Sequence, residues 1–350
     1  MLSVKFFDPG KAYLQNRGEL LRTIDMTLSY GKLILQEDVD VFEEHLAEFV
    51  GTQYAVGLNS GTDALGLSLK SCGIGPGDEV ITVSNTFKAT VVEIIRAGAT
   101  PVLIDIGEDY LMDTSKIVEA ITPKTKAIIP VHLSGDVVDM AEVRNIAEAY
   151  DLFIIEDAAQ ALGATFNGLK AGSMGHVGCF RFYPAKLLGC FGDGGGITTN
   201  DEEIYAFIKS QRNHCKDGKG GGINSRLDNL QAAVLNVKLR DFDKALKKRR
   251  EVAERYKELK GVVLPTYRNG REWQDYIIRT PRRDELFVHL KGWGIETMIP
   301  PVLPHEELKL PFPLPNSEKW NKEFLRLPCN EILTEDEISY IIEKVNEFGS

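Results

Sequence analysis

Short apolar runs and amphipathic stretches alternate along the first two thirds of the chain. Tyr54–Leu58, 79–84, 101–106, 126–133 and 152–157 are rich in Val and Ile, and Gly, Pro or Asp turn residues bound each one. Runs of this length with little internal alternation predict strands buried on both faces. Between them, 62–72, 87–98 and 141–150 carry apolar residues at helical spacing. This rhythm predicts an α/β fold with a mostly parallel central sheet and helices on both faces. From Arg226 to about Tyr256 there is no Gly or Pro, and the apolar period predicts one long helix. A strand at 275–280, a helix at 284–294, a Pro-rich ordered loop at 300–315 and a closing helix through EDEISYIIEKVNEF follow. The division expected from this pattern is a large unit, 1–237, and a smaller α+β unit, 238–350, that begins within the long helix.

Composition narrows the functional classes. The 350 residues carry 41 Lys+Arg against 51 Asp+Glu, a net charge of −10. Binding along a nucleic-acid backbone needs clustered positive charge, so that class is set aside; a small phosphorylated ligand held by local groups is not. The amino terminus shows no apolar run with a cleavage signal, and no stretch approaches ~20 apolar residues, so neither a secretory route nor a membrane partner is expected. The five cysteines are odd in number and contain no Cys-x-x-Cys pair. A disulfide framework and a zinc ribbon are therefore not expected, no metal is assigned, and the expected location is cytoplasmic. GDGGG (192–196) and GKGGG (218–222) lack the spacing of a nucleotide-binding phosphate loop, and no dinucleotide fingerprint follows the first strand.

The remaining chemistry lies in polar residues at the ends of expected strands, where open α/β sheets bind ligands. Asn59-Ser60-Gly61-Thr62 joins a strand to a helix; it suits a phosphate cradle at the helix N-terminus and equally an ordinary cap. Asp157 and Gln160 close a strand. The carboxylate there can face a protonated ring nitrogen or cap a helix. Lys186 follows an apolar run in FRFYPAKLLG. It is either a surface lysine or one whose burial makes it a Schiff-base former.

These pieces occur in a recognisable order. EDAAQ, a lysine 29 residues beyond its Asp, the segment FYPAKLLGCFGDGG and the distal GGINSRLDNLQAAVL are joined by VDVFEEHLAEFVGTQYAVGLNSGTDAL, GDEVITVSNTFKAT and IIPVHLSG. Over nearly its whole length the chain resembles the DegT/DnrJ/EryC1/StrS family of sugar aminotransferases, pyridoxal 5'-phosphate (PLP) enzymes of aspartate-aminotransferase fold type I. The resemblance implies that Lys186 binds PLP covalently and then acts as proton base and acid, with Asp157 keeping the pyridine nitrogen protonated. It implies Gln160 near the ring hydroxyl, Phe87 on the ring face, and Ser60, Gly61 and Thr62 at the phosphate. Asn224 would reach the phosphate in a neighbouring subunit, so each site would need both chains of a homodimer. Tyr183, Lys32 and His305 are the substrate-side candidates.

The chain also departs from that pattern. Arg181 stands where the family usually has Ser or Thr, and either forks onto the phosphate or forms a structural ion pair. Gln274 replaces a frequent His, Gln36 stands in for a Gly, and MIPPVLPHEEL replaces a His/Tyr-Pro-x-Pro-x-His segment. YPAKLLGCFGDGG is similar to members acting on 3-keto nucleotide sugars. The resemblance thus implies transfer of the amino group of L-glutamate to a dTDP- or UDP-linked 3-keto sugar, cycling through the pyridoxamine form (PMP). The alternatives are a 4-keto sugar or cyclitol aminotransferase and a noncatalytic regulatory protein. A sugar dehydratase of the family would carry His in place of Lys186.

Overall fold

The computed structural model describes residues 2–216, 218 and 221–349. Lys219 and Gly220, within the segment 218–222 set aside above, lie outside the described residues. Eleven strands are named in chain order: β1 (Tyr54–Leu58), β2 (Glu79–Val83), β3 (Thr100–Ile104), β4 (Thr125–Ile128), β5 (Phe153–Asp157), β6 (Thr165–Phe166), β7 (Leu169–Lys170), β8 (Val177–Arg181), β9 (Gly195–Thr199), β10 (Tyr276–Arg279) and β11 (Phe324–Leu327). Seven of them form the central sheet in the order β1-β9-β8-β5-β4-β2-β3. β9 runs antiparallel to both its neighbours, and the other pairings are parallel.

The alternation of Cβ directions explains why these runs are apolar throughout. Ile81, Ile128 and Ile154 enter one core with Phe42 and Leu46 of the helix Glu37–Val50 and Ala232 and Leu235 of the helix Asn229–Arg240. Val80, Ala127, Ile155 and Ile197 enter the opposite core with the helices Gly61–Ser71 and Glu202–Gln211. The expected strand at 126–133 is shorter, ending at Ile128, with Val131 only bridging to Asp157. Pro130 between them has no N–H to continue a ladder.

The long helix expected over 226–256 is instead two helices, Asn229–Arg240 and Phe242–Arg255. They meet at Asp241, whose φ of −104° and ψ of 12° leave the helical range. Periodicity alone does not register this bend, because both halves stay amphipathic. The bend turns Phe242 and Leu246 into the first core and Val252 and Ala253 into a third, C-terminal core. That third core packs the β10–β11 pair against Leu286, Leu290, Ile338 and Ile341, and it takes Val4 from the amino terminus, which bridges to Ile295. All five cysteines are buried and free. Among the described residues no helix is long and apolar enough to cross a membrane, and no group of His, Cys, Asp or Glu is arranged to hold a metal.

β9 (Gly-Gly-Ile-Thr-Thr) fits beside the turn after β1 because Gly195 has no side chain. A Cβ there would run into the Ser60 carbonyl group. Replacing Gly195 by Ala therefore pushes on the turn that starts the helix Gly61–Ser71. We expect Gly195→Ala to cost roughly 1–3 kcal/mol in denaturant unfolding, as overpacking does. Unchanged stability would show that the turn yields freely.

Candidate active site

Register brings the ends of β5 and β8 to one cavity. Asp157 ends β5 and pairs with Cys179 of the parallel β8, so Arg181 lies two residues farther along the same face. At the strand rise this is about 7 Å. Gly61, Thr62, Phe87, Thr90, His132, Asp157, Gln160, Arg181 and Lys186 are among the residues that line the cavity between.

One pole is acidic and fixed. Asp157 is buried; its Oδ2 accepts from the Thr90 hydroxyl at 2.7 Å and its Oδ1 from the Ala159 N–H at 3.2 Å. The Thr90 hydroxyl is in turn 2.8 Å from that of Thr86. Glu156, the preceding residue, faces the other way. Its carboxylate accepts from the N–H groups of Gly172, Met174 and Gly175 at 2.6–2.8 Å and contacts His132 Nε2 at 2.9 Å. His132 Nδ1 accepts from the Val138 N–H at 3.3 Å. The proton of a neutral ring then sits on Nε2, toward Glu156.

The other pole is cationic. Gly61 and Thr62 open a helix, where N–H groups lack intrahelical partners and favour an anion. Ser60 serves as the cap: its hydroxyl accepts from the Asp63 N–H at 3.1 Å, and it does not line the cavity. Arg181 lies with its guanidinium carbon 5.4 Å from the Phe87 ring centre and 4.8 Å from that of Tyr183. Among the described residues it has no carboxylate partner, so the structural ion pair held open above is not formed. A side chain at Gly61 would lie 2.7 Å from Arg181 Cβ and displace it.

Lys186 stands between the poles. It makes no hydrogen bond or ion pair through Nζ among the described residues. Burial pushes its pKa down to about 8; Arg181 and Arg326 add to the effect, and Asp275 and Asp157 oppose it. Gln160 also faces the cavity, its Oε1 accepting from the Ser134 N–H at 3.0 Å.

Other expected site residues lie elsewhere. Lys32 is exposed and pairs with Glu37 at 2.7 Å. His305 is buried, with Nδ1 2.8 Å from the Ser84 hydroxyl and Nε2 3.5 Å from Glu318. Neither lines this cavity. Tyr183 is exposed beside Arg181, and Asn224 is exposed in a loop that bridges to Asn213. Thr90, which holds Asp157, is a neighbour that the sequence did not single out, and Gln274, noted there only as standing in for a His, contacts the lysine loop. Thr90 belongs to the quoted SNTFKAT segment, whose polar residues at a strand end were the available signal.

The cavity fits the expected cofactor in its own donor set. A buried carboxylate suits a pyridinium nitrogen, an unpaired guanidinium at a helix N-terminus suits a phosphate, and a depressed-pKa amine lies between them. Phe87 supplies an aromatic wall.

Comparison with known proteins agrees with this geometry. The sequence model described as the DegT/DnrJ/EryC1/StrS aminotransferase family matches residues 15–346. A dTDP-3-amino-3,4,6-trideoxy-alpha-D-glucose transaminase of Streptomyces venezuelae is 39% identical, over 99% of this chain and 96% of its own. A pleiotropic regulatory protein of Geobacillus stearothermophilus is 39% identical over 99% of both chains. The crystal structure of S. venezuelae DesV in complex with a ketimine intermediate superposes with a TM-score of 0.96 at 38% identity, covering 100% of this chain and 99% of that one.

The depressed lysine gives a direct test. Only the neutral amine attacks a carbonyl, so reactivity appears above the pKa. In the cofactor-free protein, borohydride-trapped labelling of Lys186 by an aldehyde probe is expected to be half-maximal near pH 8, against 10.5 for an ordinary lysine. Peptide mapping across a pH series reads this, and a midpoint near the ordinary value contradicts it.

Proposed function

Because the chain belongs to the DegT/DnrJ/EryC1/StrS aminotransferase family, we propose that it is a PLP-dependent aminotransferase that moves the amino group of L-glutamate onto a nucleotide-linked 3-keto sugar by a ping-pong cycle. The observation that carries this reading is the two-poled cavity, with Lys186 between an anchored carboxylate and an unpaired guanidinium. PLP, when bound, supplies an electron-accepting ring and carries the amino group as PMP between the two half-reactions.

The protein's own residues do the rest. Asp157, locked by Thr90, would keep a proton on the ring nitrogen through the charge of its carboxylate. Lys186 would hold the cofactor through Nζ and, once freed, would carry a proton on that atom. Its lowered pKa keeps a useful fraction of the amine neutral near neutral pH. Phe87 and Gln160 would flank the ring, and Gly61, Thr62 and Arg181 would hold the phosphate.

We assign the partner as a second copy of the chain, with Asn224 reaching the neighbouring site. Exposed Met26 and Leu28, in the last turns of the helix Arg17–Ser29, and exposed Tyr30, Leu33 and Ile34 just beyond it cluster in sequence, and exposed Ile223 adjoins Asn224. The buried free cysteines favour a reducing, cytoplasmic location. Amination at C3 is supported by YPAKLLGCFGDGG and by the 3-amino product named for the Streptomyces relative. The regulatory name of the Geobacillus relative favours a second reading, a regulator built on this fold. An intact Lys186 with its cavity supports catalysis over that reading.

Incubating the protein with PLP, L-glutamate and a panel of dTDP- and UDP-keto sugars, with NMR of the products, tests the assignment. Amines at C3 are expected; products aminated only at C4 overturn the regiochemistry, and no visible Lys186-dependent chromophore overturns the enzyme. Arg181→Ser is expected to weaken PLP binding roughly 10- to 100-fold, the worth of a charged hydrogen bond. Equal affinity by fluorescence titration removes Arg181 from the phosphate.

A further inference from the structure

The lysine that carries the proposed chemistry has no hydrogen bond to hold its amine. Its four side-chain torsions leave Nζ to follow wherever the backbone of its loop is held. The contact that holds this loop comes from the C-terminal part of the chain. Gln274 is buried and its amide spans the lysine: Oε1 accepts from the Leu187 N–H and Nε2 donates to the Ala185 carbonyl, each at 2.9 Å. The two bonds grip the peptide groups on either side of Lys186 and leave its side chain free. The Lys186 N–H itself closes a turn onto the Tyr183 carbonyl at 2.8 Å.

Gln274 is braced from behind. Arg249 Nη1 donates to the carbonyls of Trp273 at 3.2 Å, Gln274 at 3.4 Å and Cys329 at 2.8 Å. The rest of its guanidinium is held by Glu331, with Nε and Nη2 at 2.9 and 2.7 Å. The Glu272 N–H donates to the Gly135 carbonyl at 2.9 Å, which ties the same segment to the turn carrying Ser134, the partner of Gln160. The Trp273 indole stacks on Tyr276 at 5.2 Å, and Asp275 pairs with Arg326 at 3.4 Å. A segment fixed at so many points presents its amide to the lysine loop in one orientation.

We infer that Gln274 is a positioning residue for Lys186, setting the loop from which the amine reaches the cofactor carbon and the substrate carbon in turn. The chemistry asks for one acceptor and one donor on the same short group, which a primary amide offers and a carboxylate does not. An ionised acid there would accept from Leu187 but meet the Ala185 carbonyl oxygen without a proton between them. This inference rests on the reading of Lys186 as the proton carrier, and the test separates the two.

Three proteins are compared: wild type, Gln274→Ala and the near-isosteric Gln274→Glu. The first measurement is the rate at which cofactor-free protein forms a borohydride-reducible Lys186 adduct with PLP. The second is the single-turnover conversion of the PLP-loaded protein by L-glutamate, with and without deuterium at its α carbon. Gln274→Ala is expected to slow both roughly 10- to 100-fold, the cost of a small misplacement. It should leave the apparent glutamate affinity within about twofold and enlarge the deuterium effect, because the proton transfer through Lys186 becomes the slower step. Gln274→Glu is expected to recover toward the wild-type rate as pH falls and the new acid takes up a proton. Lys186, Arg249, Asp275, Arg326 and Glu272 surround that position and set where this occurs.

Adduct formation and isotope effect unchanged in Gln274→Ala, or a Gln274→Glu profile parallel to wild type, overturns the positioning role. A wild type that forms the adduct but is not converted by glutamate overturns the donor assignment instead, and the adduct rates still decide Gln274. A variant that only melts earlier, with both rates intact, also counts against it.

Discussion

Asp157 and Arg181 end neighbouring parallel strands and do not neutralise each other. Strand register sets them about 7 Å apart along the sheet. The carboxylate is already engaged by Thr90 and Ala159, while Arg181 lies against the rings of Phe87 and Tyr183 and meets no carboxylate among the described residues. A direct ion pair would collapse the cavity; the separation keeps a dipolar slot open for a ligand with a cationic and an anionic end. The rest of the site answers to that separation. Lys186 is half-buried along the slot, its charge discouraged by low polarity and by Arg181, and Gly61 stays bare so that Arg181 can lie where it does.

Much of this architecture was legible because the sheet is covered on both sides. β1, β2, β3 and β5 are built around short apolar runs, and the turn residues bounding them set their ends. β9 escaped for the opposite reason. Its two opening glycines mask the short β-branched run Ile-Thr-Thr that follows, and its place depends on what Gly195 lacks. The break at Asp241 was equally silent, since amphipathicity on either side of a bend looks like one helix. In the site, Lys186 and Asp157 were visible only through the order of the motifs around them. Two readings of Arg181 stood level until its surroundings showed no carboxylate. Ser60 proved to be a cap, and Lys32 and His305 bind elsewhere within this chain. Gln274 stood out only as a replacement for a His; that its amide reaches across to residues 185 and 187 is a tertiary fact with no local pattern behind it.

The two parts of the chain share more than a linker. Arg249 gathers carbonyls from Trp273, Gln274 and Cys329, and Glu331 balances its charge. The Ser84 hydroxyl accepts from the His305 N–H and touches the ring, which pins the segment 300–315 to the end of a central strand. Pairing matters at these buried contacts because an unpaired group would cost more than the contact contributes. The C-terminal part therefore acts on the site through fixed backbone contacts.

The cysteines have a practical bearing on how this molecule can be watched. All five thiols are buried. Burial pushes those of Cys72 and Cys329 up to about 12 and that of Cys190 to about 11, and it raises that of Cys179 as well. Thiolate is the form that reacts, so these four are poor targets for maleimides and for peroxide at neutral pH. The folded protein thus offers a quiet background for chemical labelling. A single cysteine introduced on the surface can carry a fluorophore beside the cavity mouth, and loop motion can be followed there without first stripping the native thiols.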